Sequence, residues 1–401
     1  MTDAHGAGTG PVSDWDPADP AVQADPFAEH RRLRATCPVA HSARWGGFWT
    51  ATTWEDVRRI GADRENFTAT LRTIVPSSPR QGLPRYPLQS DPPRHTVYRR
   101  ALAPWFSDPA VARLEPGVRR ITGDLLAPLV TGEPVDVVGG FTEEAAVRAL
   151  CLFVGLAEAE AGRLKSLGLR YVEAVLAQDL ATAGGISREI DGFAVALVED
   201  RRHAPRDPAA DVTTGLLADP SGFTDEEVAG MIRTLLIGGH TVQKNFTGSA
   251  LRHLAADRDL QHLLRTRPEM IPAAVEEMLR LHSPNQALAR TTTKEVCLGG
   301  RTIPAGSPVA LLYLSANRDE SVFPEPDRFL LDRQGAKHVA FGYGIHACIG
   351  QPFARLQARV ALEETLARTA SFAVEGDTVN ATWPEYGVTA MRMRLVPPGG
   401  G

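Results

Sequence analysis

Cys348 sits in FGYGIHACIGQPFARLQ, Phe341 to Gln357, where the periodic run Phe353, Leu356, Val360 opens a helix directly after it. A cysteine at a helix N-terminus lies beside unpaired N–H groups and the positive end of the helix dipole, which favour a thiolate over a thiol. A thiolate so placed is a strong metal ligand. Gly342 and Gly344 would let the turn before it lie flat against a large planar ligand. A lone cysteine in front of a helix is more often a small buried hydrophobe, so the weight falls on its surroundings. A zinc site built on His346 and Cys348 would need a second close ligand pair, which the sequence lacks.

Three further constellations could do chemistry or support it. His95 and Arg99, in DPPRHTVYRR, stand four apart on one helix face and could grip one anionic group together. Glu277 and Arg280 have the ExxR spacing that puts a carboxylate and a guanidinium on one face as a bidentate pair. Such a pair is usually a solvated surface contact. The third is LLIGGHTVQKNF, Leu235 to Phe246, where two glycines, a histidine and a lysine interrupt an apolar helical pattern.

The elements that must position these residues are mostly helical. Apolar periodicity predicts helices over Pro26–Ala35, Thr53–Gly61, Ala110–Ala127, Thr142–Val154, Ala157–Leu176, Ser187–Arg202 and Glu269–Leu281. Thr224 and Glu227 make a capping box, and the pattern then runs without proline to about Ala255. That predicts one helix of roughly thirty residues, about 45 Å long. Gly238 and Gly239 inside it would cost about 1 kcal/mol each relative to alanine. Short strands are expected at Gly47–Ala51, Val296–Leu298 with Arg301–Ile303, Pro308–Tyr313 and Thr389–Val396. Two long irregular segments, Leu71–Ser90 and Phe323–His338, are of a length that is usually functional inside a domain.

FGYGIHACIG resembles the heme-ligating loop of cytochrome P450 enzymes, Phe-Gly-x-Gly-x-His-x-Cys-x-Gly, at every specified position. The resemblance implies that Cys348 is the axial thiolate on the iron of heme b (iron protoporphyrin IX), that Phe341 packs near the sulfur, that Gly342 lies against the heme, and that Gly350 lets the following helix approach the porphyrin. DPPRHTVYRR resembles that family's Asp-Pro-Pro-x-His-x-x-x-Arg helix, so His95 and Arg99, with Arg290 of QALARTTT and His346, would hold the heme propionates. Glu277 and Arg280 would lock onto an arginine of a later loop, for which FPEPDRF offers Arg328. The implied fold is mainly α (α+β), the helix-rich triangular prism with small β-sheets. It would be a single domain over residues 21–396, between flexible tails at 1–20 and 397–401.

By the same resemblance the long helix crosses the oxygen side of the heme. Gly238 and Gly239 would make room there, and His240, Thr241, Val242 and Gln243 would be the residues beside the reacting oxygen. The family usually places an acid and then a threonine here to relay protons. Aligned without gaps, this chain has Thr241 and Val242 in those positions. A local π-bulge would instead restore Thr241 to the alcohol role with His240 as the acid. Gln243 could order a water, and Lys244 is expected to turn away towards a neighbouring helix. Hydroxylation or another monooxygenation is therefore expected slightly ahead of oxidative coupling or peroxide-driven oxidation. A non-catalytic heme sensor or carrier is the reading from another class.

The implied substrate is a small or medium apolar molecule of bacterial specialised metabolism. Ile74, Val75, Leu88, Leu180, Gly238, Ala287, Leu288, Val388 and Thr389 would line its pocket, with Arg72, Arg80, Arg85 and Asp179 as the few charges nearby. The soluble bacterial branch takes electrons from NAD(P)H through a separate ferredoxin and ferredoxin reductase, or a flavodoxin. Arg100, Lys337 and Arg355 could attract such an acidic partner.

The bulk properties agree. The chain has 401 residues, 43% of them hydrophobic, enough for a large core. A net charge of −5 argues against a nucleic-acid binder. No apolar run approaches the eighteen or so residues of a membrane span, and MTDAHGAGTGPVSDWDPADP lacks a signal pattern, so a cytoplasmic monomer without a membrane anchor is expected. Four scattered cysteines without CxxC spacing suggest no disulfide scaffold.

Overall fold

The computed structural model describes residues 13–77, 82–335 and 337–399. Residues 1–12 and 400–401 of the expected tails, and Pro79 and Arg80 of the expected pocket roof, lie outside the described residues. The architecture is mainly helical with four small sheets.

Most helices form where apolar periodicity places them, because each buries one stripe. Ala161–Leu176 buries Leu164, Leu167, Tyr171 and Val175. Its neighbour Leu180–His203 buries Ile186, Ile190, Phe193 and Leu197 in the same core. This second helix starts earlier than its periodicity suggests, because the Asp179 side chain accepts from Thr182 N at 3.0 Å and caps it. The segment expected over Ala110–Ala127 is two helices, Asp108–Ala112 and Glu115–Leu126, the second with Pro116 in its first turn.

The predicted thirty-residue helix is also two. Asp225–Gly238 opens with the Thr224–Glu227 capping box, and Thr241–Ala256 continues beyond a break at Gly239 and His240. His240 has non-helical backbone angles, φ −122° and ψ −52°. Apart from the two glycines nothing in the sequence marks this break, since no proline interrupts the run from Asp225 to Ala256.

The largest sheet orders its strands as Val39–Ser42, Phe48–Ala51, Pro308–Leu312, Ala287–Thr292 and Phe67–Thr68. Phe48–Ala51 runs parallel to Pro308–Leu312, and the other pairs are antiparallel. Arg290 pairs with Val309 near the middle of this sheet. The expected strand Thr389–Val396 is divided: Val388–Ala390 pairs with Val379–Asn380, and Arg392–Val396 lies between Ser371–Val374 and Pro134–Asp136.

The expected flexible tail is corrected from Ser13 onward. Trp15 is buried and packs edge-on against Trp383 with ring centroids 5.5 Å apart, beside His30 and Phe48. Asp14 holds Arg301 at 2.9 Å. Acidic and glycine-rich composition masked a segment anchored by one large aromatic ring.

Candidate active site

The Cys348 loop is fixed by backbone contacts. Cys348 N donates to Phe341 O at 2.8 Å, closing the loop on itself. Gly342 and Gly344 have φ of 75° and 76°, a region that side chains rarely adopt. Gly344 also packs against the carbonyl of Gly61, so tightly that a Cβ there would overlap it. The helix Trp54–Ala62 thereby braces the loop, with Arg58 donating to the Tyr343 hydroxyl at 2.6 Å.

The helix that follows begins at Gln351, three residues beyond the cysteine. This corrects the expected electrostatics: in the protein alone burial pushes the Cys348 thiol up, while the Gly350 N–H, Arg99 and Arg355 pull against it. A cation bound at the sulfur would deprotonate it outright. The surface that Cys348 exposes faces an internal cavity of about 740 Å³, and protein encloses it elsewhere. A Cβ at Gly350 would make only ordinary contact with the sulfur, 3.7 Å away.

Three basic groups line the same cavity, His95, Arg99 and His346, and the buried Arg290 lies close enough to both imidazoles to act on them electrostatically. The two imidazoles meet edge-on with centroids 4.4 Å apart. Burial lowers His95 to about 4 and His346 to about 3, with help from the nearby guanidiniums, so both are neutral near pH 7. The Nε2 atoms of both rings are buried without a hydrogen-bond partner, although Asp91 approaches His346 at 3.8 Å. Neither Arg99 nor Arg290 makes an ion pair among the described residues, and Arg290 donates only to the neighbouring carbonyl of Ala289. Two guanidiniums without a carboxylate partner, beside two imidazoles whose buried Nε2 atoms have none, fit a ligand with two carboxylates.

The Glu277–Arg280 pair is buried and bidentate, both bonds at 2.8 Å. Its third member is Arg333, whose Nε lies 2.8 Å from Glu277 Oε1. This corrects the expectation of Arg328, whose side chain is exposed and pairs with Glu325; only its carbonyl takes part, accepting from Arg280 at 3.0 Å.

On the other side of the cavity lie Gly238, Gly239, His240, Thr241, Val242 and Gln243. His240 is fully enclosed. Its Nδ1 meets Leu236 O at 3.2 Å, and its ring fills space that exists only because residue 168 is glycine. Gln243 donates to Thr247 at 3.2 Å. Lys244 turns to Glu143 of the helix Glu143–Val154, 3.5 Å away. Thr241 and Val242 both border the cavity, Thr241 buried and Val242 apolar.

The cavity wall includes Ile74, Leu88, Leu288 and Thr389, as expected, and Arg85 beside Tyr171. Four other expected lining residues do not face it. Val75 and Ala287 pack into the core around Trp15 and Trp383, and Val388 is buried against Gly248. Leu180 begins a helix and is exposed. Leu164, Val172, Leu176 and Leu235 supply apolar wall instead. Position in sequence also missed Glu143, Gln357 and Glu385, polar residues that reach the cavity from three separate elements.

A thiol and a glycine-containing helix break share one cavity wall with His95, Arg99 and His346, a set of groups that a heme with a thiolate ligand would need. The family model for cytochrome P450 matches residues 171–386, and the chain belongs to the cytochrome P450 family. It is 34% identical over 348 residues to the vitamin D(3) 25-hydroxylase of Pseudonocardia autotrophica, covering 84% of this chain and 85% of that one. It is 32% identical to the beta-dihydromenaquinone-9 omega-hydroxylase of Mycobacterium tuberculosis, over 96% of this chain and 79% of the relative. Its fold matches that of cytochrome P450 CYP109Q5 from Chondromyces apiculatus with a TM-score of 0.86 and 30% identity, covering 96% of this chain and 99% of that chain. The protein is therefore an oxidoreductase of the P450 monooxygenase type, with heme iron as its cofactor. No helix among the described residues is long and apolar enough to cross a membrane.

Proposed function

We propose that the protein hydroxylates a small or medium apolar molecule of bacterial specialised metabolism, using dioxygen and electrons from NAD(P)H. The observation that carries this is the cavity itself, whose wall is largely apolar, aliphatic and aromatic side chains outnumbering the charged ones. Both named relatives are hydroxylases, which supports the same reaction type.

Cys348 is the residue to bind the heme iron, and His95, Arg99, Arg290 and His346 are those to bind its propionates. When bound, the heme supplies dioxygen activation, with the thiolate donating electron density that favours O–O cleavage. The chain's own part is positional. The loop from Phe341 to Cys348 sets the sulfur, Gly238 leaves room on the opposite face while Gly239 packs against Leu150 and the Leu235 carbonyl, and Ile74, Leu88, Leu235 and Leu288 exclude water and orient an apolar substrate.

Electrons would arrive from a separate ferredoxin with its reductase, or a flavodoxin, in the cytoplasm, with the enzyme acting as a monomer. Arg100 and Lys337 are exposed and able to meet an acidic partner, whereas Arg355 is held bidentately by Glu276 at 2.6 and 2.9 Å.

The reduced protein under carbon monoxide should show the long-wavelength Soret band of a thiolate heme, and Cys348→Ala should abolish it. A protein that binds no heme would overturn the reading. Val242→Thr tests the apolar distal face: product formed per NAD(P)H should rise. An unchanged yield in an enzyme that already couples tightly would show that Val242 does not limit proton supply. Products joined without an added oxygen atom would point to oxidative coupling instead.

A further inference from the structure

Glu143, Lys244 and Glu385 reach the cavity beside the half of the long helix that starts at Thr241. They come from three elements: Glu143 from the first turn of Glu143–Val154, Lys244 from the distal helix, and Glu385 from the turn before the strand Val388–Ala390. Lys244 Nζ stands 3.5 Å from Glu143 Oε1, a long contact that leaves the ammonium free to serve a second acceptor. Asn245 Nδ2 donates to Glu385 Oε2 at 2.7 Å. The turn that carries Glu385 is pressed onto the helix. Gly387 has φ of 129°, and a Cβ there would lie 2.5 Å from Asn245 O. Glu385 is enclosed by protein except where it meets the cavity.

We propose that Glu385, assisted by Lys244 and Glu143, holds and delivers the protons of the reaction, in place of the acid–alcohol pair that Thr241 and Val242 do not form. The proposal rests on the monooxygenase reading above. Insertion of one oxygen atom, RH + O2 + 2e− + 2H+ → ROH + H2O, consumes two protons. Each leaves the Glu385 carboxyl as H+ through cavity water. The O–H electron pair stays on the carboxylate, where Lys244 and the Asn245 amide stabilise it. Solvent protons passing by Glu143 and Lys244 restore the acid. Burial raises the Glu385 carboxyl above its ordinary range, against the opposing pull of Asn245 and Lys244, so that it can carry a proton closer to neutrality. The carboxyl is also 140 positions away from Asn245 in sequence, so nothing local requires an acid there. The simpler role, a clip fastening the turn to the helix, would be served equally by an amide.

Glu385→Gln keeps the clip and removes the acid, and the holoenzyme tests the difference. Turnover with NADH and a surrogate ferredoxin and reductase is followed as the fraction of dioxygen released as hydrogen peroxide, across pH and in D2O against H2O. The resting protein is titrated in parallel by infrared spectroscopy. The peroxide fraction should rise at least about two-fold in Glu385→Gln and recover partly in Glu385→Asp. The infrared band of a protonated buried carboxyl should be present in the unmutated protein and absent in Glu385→Gln. An unchanged peroxide fraction and pH profile, or no buried carboxyl band lost with Glu385, would overturn the proposal. Should Glu385→Gln not fold, Lys244→Met is read by the same peroxide fraction, with the same two outcomes. Loss of the carbon monoxide band in the unmutated protein would defeat the monooxygenase reading instead, and leaves the infrared assignment of Glu385 intact.

Discussion

Arg333 Nε lies 2.8 Å from Glu277 Oε1, completing a carboxylate already held by Arg280 through two bonds of 2.8 Å. Glu277 also accepts from the Leu330 backbone at 3.1 Å, and Arg333 donates to the Pro324 carbonyl at 2.6 Å. One carboxylate thus ties a helix to the irregular segment that leads into the Cys348 loop.

Arg280 would still pair with Glu277 without Arg333, but the charge-assisted bond from Arg333 and its bonds to the Pro324, Glu325 and Arg328 carbonyls would be lost, which costs about 2 kcal/mol. Arg333→Ala should therefore lower unfolding free energy by about that amount and reduce heme content on purification. Arg328, with 67% of its side chain exposed, should change stability by less than about 0.5 kcal/mol when replaced by alanine. Denaturant unfolding of the two variants checks the assignment. Equal losses would show that the loop, and not the Arg333 guanidinium, is what matters.

Why Arg328 was the better candidate in sequence, and Arg333 the right one in space, shows what the sequence could convey. Cys348, His95 and Arg99 were legible because their neighbours are local: a fixed spacing on one helix, or adjacent residues of one loop. In FPEPDRFLLDR the two arginines lie five apart on an irregular segment with no period, so sequence cannot say which points inward. Glu385 was illegible for a related reason, since its partner Asn245 lies on a distant element. The helix break at His240 has no proline to mark it, and glycines alone do not distinguish a break from a helix that tolerates them. Val75, Ala287 and Val388 were rightly seen as apolar, but apolar residues at a strand or turn can face the core as readily as the cavity.

Gly344 gives a sharper test of the cysteine loop than the cysteine itself. Its φ of 76° and its packing against the Gly61 carbonyl leave no place for a side chain. Gly344→Ala should force the loop away from the helix Trp54–Ala62 and move the sulfur. The ratio of heme absorbance to protein should then fall at least about ten-fold. Normal heme loading in Gly344→Ala would show that the helix yields instead.

The amino-terminal aromatic anchor predicts a stability effect far from the site. Trp15 is 5% exposed and packs against Trp383, Phe48 and His30. Trp15→Ala should destabilise the fold by about 3 kcal/mol through lost burial and the cavity left behind. Thermal unfolding of the variant measures this. A loss below about 0.5 kcal/mol would mean that the segment detaches readily, as its composition first suggested.

His240 makes stability depend on pH in a direction that can be worked out. Burial lowers its pKa to about 4; the Leu236 carbonyl opposes this and Lys244 reinforces it. A histidine whose folded pKa is depressed stabilises the fold fully above its unfolded value of 6.5, and that contribution is lost as pH falls towards 4. Between about pH 7 and pH 5 the loss from this one group should be about 2 kcal/mol. His240→Leu removes the titrating group, so its unfolding free energy should fall by that much less over the same interval, even if the variant is less stable at neutral pH. The comparison is made by denaturant titration at both pH values. An identical pH slope in the variant would mean that His240 finds water or a proton acceptor in the folded protein, and that the Gly168 notch does not seal it.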